Sequence, residues 1–494
     1  MKSKFLSLFG LAALNSIDQS PEWQWAKRAG GNLNDEAASI TSDNEGNVIA
    51  AGSFRSTSIV FGSEELTNAD DTGTSDIFIV KYNTLGNVLW AKREGGNGMD
   101  RATCVCTDNS GNVFAAGNFR SHEIKFGNTI LTNSNTENEK IFLVKYDSAG
   151  NTLWAKSAGG SSYDGVSSVA ADSFGNVYMT GSFSSPSLVF GSFVLINSNI
   201  KVNSVCIYIA KYDASGILIW AKSAGGNSND YAMSVAADTS GNVFAAGFFY
   251  SPSIVFDTVT LTKTHSADNV SNMFIVKYDA AGNVLWAKNS GRSYRGDMAV
   301  SVVADAAGNI FTAGSFTSLT IEFGDITLTN TVNDGSADMF IVKYNAEGNV
   351  LWAKSGGGIG WDNASSIAAD ASGNVFVIGN FQSPSVSFGS IALRNTDRTG
   401  KTTNMFFVKY DASGNVLWAK SAGGRYSDRV NSVTADSYGS IFAAGSVTSP
   451  AVALGSITLT NNGNSYGRNE SNADRCSDIF IAKLGTLSDK NKKL

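Results

Sequence analysis

The chain has 494 residues, of which 43% are hydrophobic and only 16% are charged, and it contains 51 glycines and 5 prolines. This apolar content excludes an intrinsically disordered chain, and the glycine and aromatic residues are typical of short strands joined by tight turns. The net charge of −6 argues against a general nucleic-acid-binding protein, and two histidines leave little material for a zinc site. We therefore expect no nucleic-acid partner and no cofactor.

The first twenty residues have the pattern of an export signal. Lys2 and Lys4 precede an apolar run from Phe5 to Leu14, which is too short to span a bilayer. The alternative is a disordered lead-in or an ordinary apolar strand. We predict an exported protein (periplasmic, outer-membrane-associated or extracellular) with residues 1–20 as its signal peptide or lead-in. The sequence has no other stretch that predicts a transmembrane segment.

An internal repeat organises the rest of the chain. The tripeptide Trp-Ala-Lys occurs seven times, at intervals of 64 to 66 residues. A fixed period over almost the whole chain indicates one repeat architecture rather than several domains. The copies begin at Trp25, Trp90, Trp154, Trp220, Trp286, Trp352 and Trp418.

Each period contains four strand-like segments, which we name a, b, c and d. In the fourth unit they are Ser234–Asp238, Gly241–Gly247, Met273–Tyr278 and Asn283–Lys288. The a–b and c–d links carry the motif Asp-x-x-Gly-Asn, in which Asp accepts hydrogen bonds from nearby amides and Gly supplies a positive φ. Each unit is therefore predicted to be a four-stranded antiparallel sheet, and radial repetition of such sheets gives a β-propeller.

The two ends of the array predict how the ring closes. The chain begins with a lone d-type strand, Glu22–Lys27, and ends with a c-type strand, Ile479–Lys483. We expect the N-terminal strand to complete the last sheet, which leaves no open sheet edge at the junction. The predicted fold is an all-β, seven-bladed β-propeller over residues 21–484, followed by a Lys-rich C-terminal tail, 485–494.

The repeated motifs resemble a known repeat. Gly-Asn-Val-Leu-Trp-Ala-Lys, Gly-Gly-x-x-x-Asp and Ser-Val-Ala-Ala-Asp-x-x-Gly-Asn-Val-Phe are similar to the SBBP repeat of seven-bladed β-propellers, over roughly residues 22–484. The resemblance implies an exported or surface-associated bacterial protein, usually without known catalysis. The run Tyr410–Trp418 also resembles quinoprotein-type propellers, but these are mostly eight-bladed and use adjacent cysteines, which this sequence lacks.

The connections between strands differ in their variability. Since strands alternate in direction, the d–a and b–c connections lie on one face of the propeller, which we call the variable face. The a–b and c–d turns lie on the opposite face, the turn face. The b–c connections begin with the pattern Ile-x-Phe-Gly-x-x-x-Leu-Thr and continue into polar segments that differ between units. A rigid scaffold with variable loops on one face favours a recognition site there.

Every d–a loop also contains an aspartate. One interpretation is an acidic ring at the mouth of the central channel that could hold a cation. The other is that each carboxylate accepts backbone amides at its own blade junction, because seven carboxylates aimed at one channel would repel one another. The seven residues are Asp35, Asp100, Asp164, Asp230, Asp297, Asp362 and Asp428.

Residues that depart from the repeat are the candidates for partner contact. Aromatic rings and arginines in the d–a loops are suited to stacking on sugars or anchoring a protein, although a loop tyrosine can also serve only to cover a blade junction. The candidates are Trp361, Tyr163, Tyr231, Tyr294, Arg292, Arg295, Tyr426 and Arg429.

These patterns together predict a non-enzymatic protein. We find no catalytic constellation in the sequence, and the four cysteines are expected to be unpaired. The predicted function is a non-catalytic binding or scaffold propeller of the bacterial envelope or cell surface, which engages a protein or glycan through the variable face. The alternative is a carbohydrate-active propeller, either a lectin or a polysaccharide hydrolase or lyase.

Overall fold

The structure is a computed structural model, and it describes residues 20–70, 72–197, 204–263, 270–291, 295–461 and 476–485. Every regular element within these ranges is a β-strand. The strands form four-stranded antiparallel sheets, the blades, together with separate two-stranded hairpins. The prediction of an all-β, seven-bladed propeller with four antiparallel strands per blade is confirmed.

The first three blades follow the strand β1 (Glu22–Ala29), and each contains strands a and b, a hairpin, and strands c and d in chain order. Blade 1 consists of β2 (Asp35–Ser42), β3 (Val48–Phe54), hairpin β4 (Ser58–Phe61) and β5 (Glu64–Thr67), β6 (Asp76–Tyr82) and β7 (Val88–Glu94). Blade 2 consists of β8 (Asp100–Thr107), β9 (Val113–Phe119), hairpin β10 (Glu123–Phe126) and β11 (Thr129–Thr132), β12 (Lys140–Tyr146) and β13 (Thr152–Ala158). Blade 3 consists of β14 (Asp164–Ala171), β15 (Val177–Phe183), hairpin β16 (Ser187–Phe190) and β17 (Phe193–Ile196), β18 (Cys206–Tyr212) and β19 (Leu218–Ala224).

The next three blades have the same order of elements. Blade 4 consists of β20 (Asp230–Ala237), β21 (Val243–Phe249), hairpin β22 (Ser253–Phe256) and β23 (Val259–Thr262), β24 (Asn272–Tyr278) and β25 (Val284–Asn289). Blade 5 consists of β26 (Asp297–Ala304), β27 (Ile310–Phe316), hairpin β28 (Thr320–Phe323) and β29 (Ile326–Thr329), β30 (Asp338–Tyr344) and β31 (Val350–Gly356). Blade 6 consists of β32 (Asp362–Ala369), β33 (Val375–Phe381), hairpin β34 (Ser385–Phe388) and β35 (Ile391–Arg394), β36 (Asn404–Tyr410) and β37 (Val416–Ala422).

Blade 7 is assembled from both ends of the array. It consists of β38 (Asp428–Ala435), β39 (Ile441–Val447), hairpin β40 (Ala451–Leu454) and β41 (Ile457–Thr460), β42 (Asp478–Gly485) and, as its outer strand, β1. The strands β1 and β42 are antiparallel, with Ala26 opposite Ala482. The Trp23 side chain is buried in the cluster that contains Phe480 and Leu484, and its ring meets Phe407 of blade 6 edge-on at 5.0 Å.

The turn motif folds as its residues predict. In the turn that follows β2, Asp43 Oδ1 accepts hydrogen bonds from the amides of Glu45 and Asn47, and Asn47 Nδ2 donates to Asp43 Oδ2. Gly46 has φ +76°, a conformation that costs glycine little and other residues more. These turns keep one face of the propeller short and regular.

The core is divided among the spaces between blades. The a strands of consecutive blades contact one another around the whole ring and line its axis. Seven hydrophobic clusters each combine side chains from two neighbouring blades. The Trp-Ala-Lys tryptophans connect these spaces, since Trp220 Nε1 donates to the carbonyl of Ala280 in the c–d turn of the next blade at 3.2 Å. Five other tryptophans make the equivalent bond: Trp25, Trp90, Trp154, Trp286 and Trp352.

The predicted N-terminal signal and most of the predicted C-terminal tail are outside the described residues, 1–19 and 486–494 respectively. Within the part of the chain that the structure describes, no helix has the length and apolar character needed to cross a membrane.

Candidate functional site

The hairpins that begin the b–c connections are packed against the outer strands of the blades. In blade 1, Ile59 and Phe61 of β4 and Leu66 of β5 are buried. The hairpin contacts the outer strand β7 of its own blade and the outer strand β1 of the preceding blade. The segment that follows each hairpin differs in length and sequence, from 133–139 in blade 2 to 461–477 in blade 7. The variable sequences are therefore held on a constant base.

Each d–a loop aspartate is buried at the start of its a strand. Asp35 Oδ1 accepts hydrogen bonds from the amides of Arg55 and Ser56, while its Oδ2 accepts from the Gly31 amide and the Ser56 hydroxyl. One carboxylate thus joins the d–a loop to the beginning of the b–c connection. Asp100 and Asp428 make the same four contacts, and Asp164 and Asp230 share those with the glycine amide and with the amide and hydroxyl of the serine.

Burial of these carboxylates has an electrostatic consequence. Desolvation raises the pKa of Asp35 to about 6 and that of Asp362 to about 7, although the hydrogen bonds from the neighbouring serines oppose the shift. None of the seven side chains is exposed, so these carboxylates are not directed into an open channel. The geometry supports the structural interpretation of the aspartates.

The Gly-Gly pair of the d–a loop is explained by close packing against polar side chains of strand c and of the b–c connection. A Cβ atom added to Gly30 would lie 2.0 Å from Asp478 Oδ1, and one added to Gly31 would lie 2.7 Å from Ser56 Cβ. A side chain at either position would displace the polar contacts that hold the loop. The Gly-Gly-x-x-x-Asp motif therefore positions the loops of the variable face.

Two of the predicted contact residues are brought together between blades 6 and 7. Trp361 lies in the loop that precedes β32, and Arg429 is the second residue of β38. Both line a cleft of about 520 Å³, whose other walls are largely amide side chains. Trp361 is 50% exposed. We call this space the blade 6–7 cleft; its lining residues are Trp361, Asn363, Asn380, Gln382, Arg429 and Asn431, with Thr403 at one side.

Two other candidates belong to an aromatic cluster on blades 3 and 4. The Tyr231 ring lies 5.2 Å from that of Phe248, which in turn meets Tyr250 edge-on at 5.9 Å. Burial, followed by the electrostatic effects of Tyr250 and Tyr163, raises the pKa of Tyr231. Tyr163 is 53% exposed. We call Tyr163, Tyr231, Phe248 and Tyr250 the blade 3–4 aromatic cluster.

The remaining candidates are separate from these two places. Tyr426 is only 6% exposed, and the guanidinium of Arg425 lies over its ring. Arg295 is exposed beside Gly335 in the b–c connection of blade 5. Arg292 and Tyr294 are outside the described residues.

Sequence reasoning missed half of the aromatic cluster and the walls of the cleft. Phe248 stands where the other six blades have Ser or Asn, and this departure from the repeat was a usable signal. The residues at that position are Ser53, Asn118, Ser182, Ser315, Asn380 and Ser446. The amides of the cleft gave no comparable signal, because asparagine is common throughout the repeat.

The described residues were predicted to hold neither a zinc site nor a disulfide, and their His, Cys, Asp and Glu side chains bear on both points. Within the described ranges, no group of three or more His, Cys, Asp or Glu side chains is arranged to hold a metal ion. Cys104, Cys106, Cys206 and Cys476 are free thiols. Burial raises the pKa of Cys104 to about 12, which disfavours the reactive thiolate.

Comparison with curated proteins gives two similar sequences. An uncharacterised WD repeat-containing protein of Acanthamoeba polyphaga mimivirus is 24% identical over 474 residues, which cover 80% of this chain and 34% of that protein. The regulatory protein FlaEY of Caulobacter vibrioides is 31% identical over 113 residues, which cover 22% of this chain and 12% of that protein. The chain thus spans about a third or less of the length of these relatives.

Solved structures resemble this chain only weakly over its whole length. Sqt1 from Chaetomium thermophilum matches with a TM-score of 0.42 and 8% identity, over 86% of this chain and 97% of that one. A mutant apocarotenoid oxygenase from Synechocystis matches with a TM-score of 0.39 and 10% identity, over 89% and 94% of the two chains.

Comparison with protein families agrees with the repeat analysis. Residues 153–182, from the outer strand of blade 2 to strand b of blade 3, match the SBBP β-propeller repeat. The same motifs recur in every blade of the ring. The chain is a seven-bladed β-propeller in which residues 153–182 match the SBBP β-propeller repeat.

Proposed function

We propose that this chain is a non-catalytic binding or scaffold propeller of the bacterial cell envelope or surface, and that a protein partner binds its variable face. The observation that supports the proposal is the contrast between the two faces. The turn face repeats one motif, whereas the variable face combines a constant base with connections that differ from blade to blade.

The blade 3–4 aromatic cluster is the anchor that we assign to the protein contact. Tyrosine residues supply large contact area at low entropic cost and are enriched among the residues that dominate binding energy at protein interfaces. Tyr163 is exposed on the loop that precedes β14, and the Tyr231 ring packs beside that of Phe248, its cross-strand neighbour. A partner could therefore bury a preformed aromatic surface without ordering a mobile loop.

The proposal is tested by comparing the two faces of the purified propeller. Proteins from an envelope fraction are recovered on immobilised wild type, on Tyr163→Ala/Tyr231→Ala, and on Phe174→Ala. Phe174 is a matched control because it is 70% exposed in the a–b turn of blade 3, on the turn face. A specific partner should be lost from the double variant alone. Equal recovery by all three proteins would exclude the aromatic cluster as the anchor.

The variants can be interpreted only if they remain folded. Tyr163 is largely exposed, and Tyr231 is half-buried at the surface, so both variants should melt close to wild type. Detection of the protein in a periplasmic or surface fraction, with antibody to the propeller, tests the proposed location separately. Exclusive recovery from the cytosol would contradict that part of the proposal.

A further inference from the structure

We infer that the blade 6–7 cleft is a binding site for a saccharide that carries a carboxylate, such as a uronic acid residue. The inference does not depend on the protein partner proposed above, because the cleft and the blade 3–4 aromatic cluster lie on different blades. Its volume of about 520 Å³ is in the range of small-molecule sites, roughly 300–1,000 Å³.

The first observation is that Trp361 is held in place although half of its surface is exposed. The Gly360 amide donates to Ser383 Oγ at 2.8 Å, and the Trp361 carbonyl accepts from the Gln382 amide at 2.9 Å. The amide of Asp362 donates to the Ala337 carbonyl at 2.7 Å. The backbone is thus fixed on both sides of the indole. An exposed indole on an anchored backbone offers an apolar surface on which the C–H face of a sugar ring can stack.

The second observation concerns the amide groups of the cleft. Asn380 is fully engaged, since it bridges Ser365 and the backbone of Val430. Asn431 donates to Glu36 and Ala37, and its Oδ1 accepts no hydrogen bond from the described residues.

Two further amides complete this polar wall. The side chains of Asn363 and Gln382 line the cleft, are half-buried, and make no hydrogen bond within the described part of the chain. Half-buried amides with free donors and acceptors match the hydroxyl groups of a sugar, because each hydroxyl both donates and accepts.

The third observation is the charge of Arg429. Its side chain is exposed in the cleft, and among the described residues no carboxylate forms an ion pair with it. A guanidinium group binds a carboxylate through two parallel hydrogen bonds. The combination of one stacking ring, three amides and one free cation therefore fits an acidic sugar better than an acidic peptide, whose side chains carry no hydroxyl groups for the amides to bind.

The inference is tested by titrating the full chain with three probes: oligogalacturonate, a neutral oligosaccharide of the same length, and oligoglutamate. Calorimetry and tryptophan fluorescence both report binding. We expect oligogalacturonate to bind about tenfold more tightly than the neutral oligomer, since charge-assisted hydrogen bonds add roughly this much. Failure of oligogalacturonate to bind, or equal binding of oligoglutamate, would overturn the inference.

Three variants assign the interaction to the cleft. Trp361→Ala should weaken oligogalacturonate binding at least tenfold, and Arg429→Ala should make the acidic and neutral oligomers bind equally. Tyr438→Ala is the matched control, because Tyr438 is an aromatic residue of similar exposure in the a–b turn of blade 7, on the turn face; it should leave binding unchanged. Unchanged binding by Trp361→Ala, in a protein that melts like wild type, would overturn the assignment.

Discussion

The Nζ atom of Lys81 lies 2.9 Å from Asp43 Oδ2, and each of these side chains is only 3% exposed. This ion pair joins strand c of blade 1 to its own a–b turn. Lys81 also donates to the carbonyl of Ser148 in the next blade. Ion pairs of the same kind occur in three other blades: Lys145–Asp108, Lys409–Asp370 and Lys483–Asp436. A buried charge pair thus holds the turn face together from inside.

Removal of one member of the pair should be costly. Lys81→Met leaves the Asp43 carboxylate buried without its cation, and we expect the free energy of unfolding to fall by about 3–5 kcal/mol. Asp43→Asn/Lys81→Met should cost less than the sum of the single changes, because the two groups compensate each other. Chemical denaturation of Lys81→Met, Asp43→Asn and the double variant measures the three losses in the free energy of unfolding. Additive effects would show that the pair is not coupled.

A second prediction concerns the indole hydrogen bonds between blades. Trp220→Phe removes the bond to Ala280 and part of the buried ring, so we expect a loss of about 1–3 kcal/mol from the hydrogen bond and the reduced burial. Trp418→Phe is the matched control, because within the described residues the Trp418 indole donates no such bond, and it should cost less. Equal destabilisation in thermal melts would contradict a role for the hydrogen bond.

Closure of the ring is tested by truncation. A chain without residues 1–27 loses most of β1, including Trp23, whose burial alone is worth about 1.5–3 kcal/mol. The main-chain hydrogen bonds to β42 add about 0.5–1.5 kcal/mol each. A chain without residues 1–20 retains the strand and should melt like the full chain. If both truncated chains melt alike, β1 does not close the ring.

The free energy of unfolding should decrease as the pH rises from acid to neutral values, whereas most proteins become more stable over this range. Burial raises the pKa of Asp35 and Asp230 to about 6 and that of Asp362 to about 7, above the unfolded value of 3.8. The folded state therefore holds protons that the unfolded state has released, and stability falls as the pH rises from about 4 to about 7. The melting temperature should be higher near about pH 5 than near about pH 8.

A variant identifies the groups responsible for this pH dependence. Asp362→Asn cannot titrate, yet its amide oxygen can still accept the Ser383 amide. The variant should show a smaller difference in melting temperature between the two pH values than wild type. The same difference in both proteins would mean that Asp362 does not contribute.

The sequence was sufficient to predict the seven-bladed ring and the conformation of its turns. A constant period and the Asp-x-x-Gly-Asn motif specify local structure that forms within a few residues, so Gly46 has the expected positive φ. It was not sufficient for the buried lysines, although Lys81 and its equivalents recur at one position of the most apolar strand. Such a lysine can be buried because the partner, Asp43, comes from a turn that is distant in sequence.

The candidate site was predictable only in part, for a geometric reason. Trp361 and Arg429 approach each other across a blade interface, and the repeat period does not specify which side of a loop faces the neighbouring blade. Tyr426 is buried and Tyr163 is exposed, although both lie in d–a loops, because Tyr426 lies two residues before its aspartate and Tyr163 only one. Departures from a repeat identify residues to examine, but exposure depends on packing between blades.

The pairing of β1 with β42 also determines the order in which the molecule can form during synthesis. Arg28 of β1 and its partner Asp478 are separated by 450 positions. At a translation rate of roughly 5–20 residues per second, β1 leaves the ribosome on the order of tens of seconds before its partner strand. Six blades can fold in that interval, but the seventh cannot. Strand β1 is therefore paired only after the other strands of the ring have been made, and nascent chains must keep its apolar side from aggregating until β42 has emerged.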